Sequence, residues 1–162
     1  MTLAELNALP ADRAAAALQR CCGSTRWARQ MAARRPFHSE TELVETADQI
    51  CASLEREDWL EAFVAHPRIG GVAGGGSDWL ADEQSGMGSA DDRVQQRLAE
   101  ANREYEHRFG HIFIVCATGK SAGEMLALLD ERLHNAADRE LTIAAAEQRQ
   151  ITRLRLRKLL KE

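Results

Sequence analysis

The chain has 162 residues, of which 44% are hydrophobic and 28% charged, an ordinary composition for one folded globular domain. Its formal net charge of -4 excludes a protein that binds nucleic acid by broad neutralisation of phosphates, because such proteins are usually strongly basic. The sequence has no apolar run of membrane-spanning length and no signal-peptide pattern near its first residue. We therefore expect a cytoplasmic protein with no nucleic-acid or membrane partner.

The cysteine and histidine residues show no metal-ligand spacing. The five histidines form no ligand motif with the cysteines, and there is no CxxC pair. We therefore predict no metal site. The cysteines are interpreted as small buried hydrophobic residues in a reducing compartment: Cys21, Cys22, Cys51 and Cys116.

Helix-start signals recur along the chain and are followed by apolar residues at helical spacing. Ser39 and Glu42 have the form of a capping box, and apolar side chains follow them at steps of four, three and four. Asp58 precedes a second apolar stretch, which runs up to His66 and is stopped by Pro67. The sequence therefore places His66 at the C-terminal end of a helix.

Three further helices are predicted downstream. One begins at Ser89 and ends at Gly110, and the next begins at Ser121 and stops near Asn135. The last is capped by Asp138 and continues to the end of the chain. The whole pattern predicts six to eight helices.

One segment departs from helical periodicity. Residues 111–120, HIFIVCATGK, are rich in β-branched and aromatic residues, a composition typical of an extended chain. No second run of this kind is available for pairing. The segment either pairs across a dimer or is an extended connection whose unpaired backbone groups can take a ligand. The predicted fold is all-α, a single-domain bundle over residues 1–162 with one extended segment near 111–118.

The last helix carries one inward-pointing arginine among outward-pointing ones. At 100° per residue Arg155 falls inside the apolar stripe, whereas Arg153 and Arg157 fall on the outer, solvated faces. A buried arginine needs a partner. Two roles remain open for Arg155, a structural tie to a buried carboxylate or the binding of an anion.

A carboxylate and an imidazole are candidates for acid–base chemistry. Glu83 follows Trp79 and Leu80 by about one turn on a short predicted helix, which places it beside an apolar face. A carboxylate in that position can tune a nearby imidazole such as His66. A histidine at a helix end is also a favourable partner of the helix dipole and need have no other role.

Five short motifs follow one another along the chain: His66-Pro67 with Gly70, Glu83-Gln84 with Gly86, Phe109-Gly110 leading into 112–117, Arg132-Leu133 with Asn135, and Ile151 with Arg155-Leu156. In order and spacing they resemble the motif series of the OHCU decarboxylases, over about residues 43–160. That family decarboxylates 2-oxo-4-hydroxy-4-carboxy-5-ureidoimidazoline to (S)-allantoin, the last step of urate oxidation in purine catabolism. The resemblance implies an all-α homodimer that needs neither metal nor organic cofactor.

The resemblance also implies a set of site residues. The family's catalytic histidine and glutamate fall on His66 and Glu83. Its substrate-binding positions fall on the following residues, the last five through their backbone: Pro67, Gln84, Arg155, Ile114, Val115, Cys116, Ala117 and Thr118.

Two positions depart from the family pattern. Many members have HPDLG where this chain has HPRIG, which places Arg68 near the mouth of the site. Many also carry a serine where this chain has Leu80, so this pocket position loses a hydroxyl contact. Two other functions stay open beside a decarboxylase acting on a small ureidoimidazoline. They are a helical protein-binding module without catalysis, and a lyase acting on a related ureido compound.

Overall fold

The structure, a computed structural model, describes residues 1–69 and 91–161. Within these ranges the chain is all-helical, with eight helices and no strand, which confirms the predicted all-α class. Residues 112–117 form neither helix nor strand, in agreement with the predicted break in helical structure. Three predicted site positions lie outside the described residues: Leu80, Glu83 and Gln84.

The helices follow in this order: α1 Leu3–Ala8, α2 Ala11–Cys22, α3 Thr25–Ala33, α4 Glu40–Cys51, α5 Arg56–Val64, α6 Asp92–Phe109, α7 Ala122–Arg132 and α8 Ala137–Leu159. The chain forms two compact units. The first comprises Met1–Ala65 and Gln148–Glu162, and the second comprises His66–Glu147. The long helix α8 thus contributes its first half to the second unit and its second half to the first.

The predicted helix starts are confirmed where a serine caps the helix. The Ser39 hydroxyl accepts the amide of Glu42 at 3.0 Å, and Ser121 forms a reciprocal capping box at the start of α7. Asp58 was expected to precede its helix, and this is wrong. Helix α5 is capped by Glu55, and the Asp58 carboxylate reaches back to the Glu55 amide at 2.9 Å. In this capping box a carboxylate stands both at the N-cap, Glu55, and at the third helical residue, Asp58. The sequence alone therefore does not show which of the two acidic residues is the N-cap.

Two other starts differ from the prediction. Helix α8 begins at Ala137, so Asp138 lies in the first turn rather than before it. Helix α6 is capped by Asp91, whose side chain accepts the Arg93 amide at 2.9 Å, and Ser89 lies outside the described residues. An acidic residue in the first turn is favourable for the same electrostatic reason as an acidic cap, which accounts for the offset of one residue in α8.

The core of the first unit is built around Trp27. This residue is fully buried, and its indole N–H donates to the Ala47 carbonyl at 3.2 Å, which links α3 to α4. Helix α2 ends at Gly23, where φ is +89°. An added Cβ there would lie 2.9 Å from the Ala65 Cβ, at the end of α5. Glycine suits this position for two reasons, because it adopts the left-handed conformation readily and because it has no Cβ to clash with Ala65.

The second unit has its own hydrophobic core between α6, α7 and the non-helical segment. Its fully buried members include Tyr105 of α6 and Met125 of α7. Phe113 comes from the segment 113–117, and Ile69 comes from the chain just after His66. The sequence assigned site residues to two non-helical stretches, the one that begins at His66 and the segment 113–117. Both of them contribute side chains to this core.

Candidate functional site

His66 lies where the sequence placed it, directly after the end of a helix. Helix α5 ends at Val64, with Ala65 as its C-cap, and Pro67 prevents continuation. Both His66 and Pro67 are half-buried. The imidazole is therefore partly shielded from water without being enclosed in the core.

The turn that contains His66, residues 66–69, is held by helix α6. The buried side chain of Asn102 donates to the Ile69 carbonyl at 3.3 Å, and the Ile69 side chain enters the core of the second unit. Arg68 is exposed and pairs with Glu106 at 2.9 Å. This hydrogen bond to Glu106 raises the pKa of Arg68 and neutralises the charge near the turn.

The segment 113–117 lies in the same core as this turn. The side chains of Phe113, Val115 and Ala117 belong to the hydrophobic cluster that also includes Ile69. All five residues of the segment are buried, whereas Thr118 is exposed. The structure thus brings the His66 turn and the predicted substrate-binding segment into one compact unit.

Several backbone groups of the segment already have protein partners. The Ile114 carbonyl accepts Arg132 Nη1 at 2.7 Å, and the Cys116 amide donates to Glu147 Oε2 at 2.8 Å. The Cys116 carbonyl accepts Lys120 Nζ at 2.8 Å. Because buried backbone groups need partners, these contacts take the place of the sheet partners that the segment lacks.

Val115 lies between the bonded residues. Within the described part of the chain, neither its amide nor its carbonyl makes a hydrogen bond. A ligand can therefore accept a hydrogen bond from the Val115 N–H and donate one to the Val115 carbonyl. Among the described residues, Val115 is thus the position of the segment where both backbone groups lack a protein partner, and the predicted substrate-binding role of the segment stays a prediction.

Arg155 is buried in the first unit, as its helical position predicted, with only 6% of its surface exposed. It shares a polar, buried face of α8 with Gln148 and Thr152, whose side chains hydrogen-bond to each other at 3.2 Å. Burial raises the pKa of the nearby Cys22 thiol to about 11, and the Arg155 charge opposes this effect. Arg155, Gln148 and Thr152 therefore form a polar patch in the interior of the first unit.

The sequence did not single out a buried ionic network in the second unit. Glu140 is fully buried, and its Oε1 accepts the Tyr105 hydroxyl at 2.5 Å and Arg132 Nε at 2.7 Å. Asn135 donates to Oε2 at 3.0 Å. Burial, and then the hydrogen bond to Glu140, raise the pKa of Tyr105 well above its usual range. Arg132 and Asn135 belong to one of the five motifs, but the motif did not show their role. Arg132 falls in the apolar stripe of its helix, three residues after Leu129, and this position indicates its burial.

The guanidinium of Arg132 links this network to the segment. Its Cζ lies 4.5 Å from the centre of the Phe113 ring, while Nη1 binds the carbonyl of the next residue, Ile114. Its Nη2 also lies against Glu140 Oε1, although without hydrogen-bond geometry. The charge of Arg132 is therefore balanced by Glu140 while the rest of the guanidinium contacts the segment.

In residues 1–69 and 91–161, no group of three or more histidine, cysteine, aspartate or glutamate side chains is arranged to hold a metal ion. The helices in these ranges include none that is both long and apolar enough to cross a membrane. None of the four cysteines forms a disulfide, and all four are buried, which confirms their predicted burial.

Sequence comparisons place the chain among proteins of urate degradation. The family model for OHCU decarboxylase matches residues 7–157. The chain is 39% identical over 145 residues to the uric acid degradation bifunctional protein TTL of Arabidopsis thaliana, covering 86% of this chain and 45% of that protein. It is 29% identical over 136 residues to the bifunctional protein PucL of Bacillus subtilis, covering 83% of this chain and 28% of that protein. The chain thus spans less than half the length of these two bifunctional relatives.

A shorter relative and two solved structures agree with this placement. The 2-oxo-4-hydroxy-4-carboxy-5-ureidoimidazoline decarboxylase of Xenopus laevis is 27% identical over 128 residues, with 76% of this chain and 73% of that protein covered. A crystal structure of OHCU decarboxylase in the presence of (S)-allantoin superimposes with a TM-score of 0.80 at 41% identity, covering 89% of this chain and 96% of that one. An (S)-allantoin synthase structure, 19% identical with a TM-score of 0.74, shows the fold alone. Because the family model extends over nearly the whole chain, the protein belongs to the OHCU decarboxylase family.

Proposed function

We propose that this chain catalyses the decarboxylation of 2-oxo-4-hydroxy-4-carboxy-5-ureidoimidazoline, OHCU, to (S)-allantoin. The observation that carries the proposal is the 41% identity, over 89% of the chain, to an OHCU decarboxylase whose structure was determined with (S)-allantoin. The family match over residues 7–157 supports the further inference that residues 1–162 act as one domain. The resemblance of the motifs also supports a cytoplasmic homodimer.

The chemistry of the substrate needs no external electron sink. Its carboxylate is attached to a carbon that also bears a hydroxyl and adjoins a C=N bond. When the bond to the carboxylate breaks and carbon dioxide leaves, the electron pair moves into the C=N system. Protonation of the resulting intermediate on one face gives a single enantiomer. The protein therefore has to position the substrate, manage the hydroxyl proton and control the face of protonation.

His66 is suited to the proton-transfer step. It is half-buried and lies in a turn fixed by Asn102, so its imidazole can be positioned next to a bound substrate. In this proposal His66 takes the substrate's hydroxyl proton, and Glu83 orients the imidazole, as the family resemblance implies. Pro67 narrows the conformations open to this turn and contacts the substrate.

The substrate ring and its ureido group carry amide N–H and C=O groups that need partners. In this proposal the backbone of Val115 supplies an acceptor and a donor to them, and Gln84 contributes a side-chain amide. Arg155 presents a fixed positive charge with several N–H donors to an anionic or carbonyl oxygen of the substrate. The burial of Arg155 supports this role, because a charge in a site of low dielectric interacts more strongly with an anion.

The direct test is to follow freshly generated OHCU by ultraviolet absorbance and circular dichroism. We expect the protein to accelerate the decay and to produce the dichroic signal of one allantoin enantiomer, whereas uncatalysed protonation from both faces gives no net signal. Decay at the uncatalysed rate, with no dichroic product, would contradict the proposal. Turnover of a different ureido compound, with OHCU left unchanged, would favour the related-lyase alternative.

A further inference from the structure

We propose that Arg132 and Glu147 are positioning residues that aim the amide and the carbonyl of Val115 at the substrate. The inference rests on the proposed function and extends it to two side chains that do not themselves touch the substrate. Its basis is the arrangement of the two peptide units on either side of Val115.

The first peptide unit joins Ile114 to Val115. In a planar trans peptide the carbonyl of one residue and the N–H of the next point in opposite directions. Among the described residues the only cis bond is Arg35-Pro36, so this unit is trans. Arg132 holds the Ile114 carbonyl at 2.7 Å, and this contact directs the Val115 N–H away from Arg132.

The second peptide unit joins Val115 to Cys116 and is held from its other end. The Cys116 N–H donates to Glu147 Oε2 at 2.8 Å, so the Val115 carbonyl points away from Glu147. One side chain thus fixes the donor of Val115 and the other fixes its acceptor. Both groups of Val115 make no hydrogen bond within the described part of the chain, as a ligand-binding pair requires.

Arg132 is itself held rigidly. Glu140, which is fully buried, accepts Arg132 Nε at 2.7 Å, and the Phe113 ring lies 4.5 Å from the guanidinium carbon. The planar guanidinium can donate to Glu140 and to Ile114 at the same time because its donors diverge in a fixed fork. A lysine in the same place has one ammonium group on a flexible stem, so it can pair with Glu140 without holding the carbonyl of Ile114.

The experiment compares variants at these two positions with a matched control. Arg132→Lys keeps the buried charge but loses the fork, and Glu147→Ala removes the acceptor of the Cys116 amide. Glu147→Gln keeps an acceptor oxygen and serves as the conservative rescue. Tyr105→Phe removes a hydrogen bond to Glu140 and leaves both peptide contacts in place, so it reports the effect of weakening the network alone.

We expect Arg132→Lys and Glu147→Ala each to raise the KM for OHCU about tenfold, the effect of one misaligned hydrogen bond, with kcat changed less than about threefold. Glu147→Gln should restore KM to within about threefold of wild type, and Tyr105→Phe should lower the melting temperature while leaving KM unchanged. Equal KM values for Glu147→Ala and wild type, or equal changes for Arg132→Lys and Tyr105→Phe, would overturn the proposal.

Two further measurements keep the test decisive. If Arg132→Lys does not fold, the double variant Arg132→Met with Glu140→Gln removes both buried charges together and leaves no unpaired ion. Amide hydrogen exchange of residues 112–118, measured without substrate, tests the positioning of the Val115 backbone independently of the proposed decarboxylase activity. Faster exchange at Cys116 in Glu147→Ala, but not in Glu147→Gln, supports the positioning of this peptide unit by Glu147 even if the wild type does not act on OHCU. Unchanged exchange there would overturn it.

Discussion

Arg153 forms a two-pronged ion pair with Asp48, with Nε 3.0 Å from both carboxylate oxygens, and so fastens α8 to α4. The sequence placed Arg153 on a solvated outer face, and its side chain is in fact only 41% exposed. Spacing within a helix shows which face a residue occupies, but it does not show that an acidic residue from a distant helix lies opposite that face.

We therefore expect Arg153→Gln to destabilise the fold by about 0.5–1 kcal/mol, because the pair is partly exposed and its geometry is good. The hydrogen bond that Arg153 donates to Asp48 raises the pKa of Arg153, so the guanidinium stays charged at all accessible pH values. Urea unfolding of both proteins at low and high salt measures the effect. The difference should shrink at high salt, and a difference that is independent of salt would contradict an ionic origin.

His66→Ala should slow OHCU decarboxylation by about a hundredfold to ten-thousandfold while the helical circular dichroism is kept. The reason is that the half-buried imidazole is the proposed acid–base group and contributes little to the core. The matched control is His107→Ala, an exposed histidine on α6, which should leave the rate unchanged. Wild-type rates in folded His66→Ala would remove the imidazole from the mechanism.

Arg155→Lys tests whether the buried guanidinium binds substrate or is a structural tie. If it contacts a substrate oxygen through its fork, kcat/KM should fall at least about tenfold because lysine keeps the charge but loses the bidentate geometry. Arg157→Lys is the control, since Arg157 is half-exposed and pairs with Glu40 at 3.3 Å. A lower melting temperature with normal kcat/KM in Arg155→Lys would assign the arginine a purely structural role.

Gly23 and Gly110 provide a matched pair for backbone strain. Both have positive φ, +89° and +75°. An added Cβ at Gly23 would lie 2.9 Å from the Ala65 side chain, whereas at Gly110 it would meet none of the described residues within 4 Å. Gly110→Ala should cost about 1–2 kcal/mol for the left-handed conformation alone. Gly23→Ala should lower the free energy of unfolding by more than Gly110→Ala does, because the clash with Ala65 adds to the cost of the left-handed conformation. Equal losses of unfolding free energy would show that α5 moves aside freely.

Stability should fall as the pH rises above 9. Burial raises the pKa of Cys22 to about 11 and that of Cys51 to about 12, from an ordinary value of 9.0. The folded state therefore keeps protons that the unfolded state releases. This contribution to stability is complete below pH 9 and is lost as the pH rises towards 11 and 12. Urea unfolding from pH 8 to 10.5 should show the decline, and Cys51→Ala should reduce its slope. The same slope in the variant would exclude Cys51 as a source.

The sequence predicted those features that depend on neighbouring residues. Ser39 and Ser121 cap helices because their partners lie three residues away, and His66 follows a helix end because Pro67 stops the helix. Arg155 was placed correctly inside because helical rotation is regular. In each of these cases the deciding interaction lies within one or two turns of chain.

The remaining features depend on tertiary packing. Glu147 is half-buried and 31 residues away from Cys116, and nothing in its local pattern marks it as a partner of that amide. Glu140 likewise meets Tyr105 across 35 residues. The sequence indicated that segment 111–118 is not helical, but it could not show which of its backbone groups the protein itself would satisfy.

The turn at residues 66–69 constrains how this region can vary among related chains. It starts two residues after the end of α5, and it closes at Ile69, where the side chain is in the core and the carbonyl is bonded to Asn102. An inserted or deleted residue would displace either the imidazole or this buried closure, whereas a change at the exposed Arg68 would disturb neither. We therefore expect related chains to differ here by substitution at constant length.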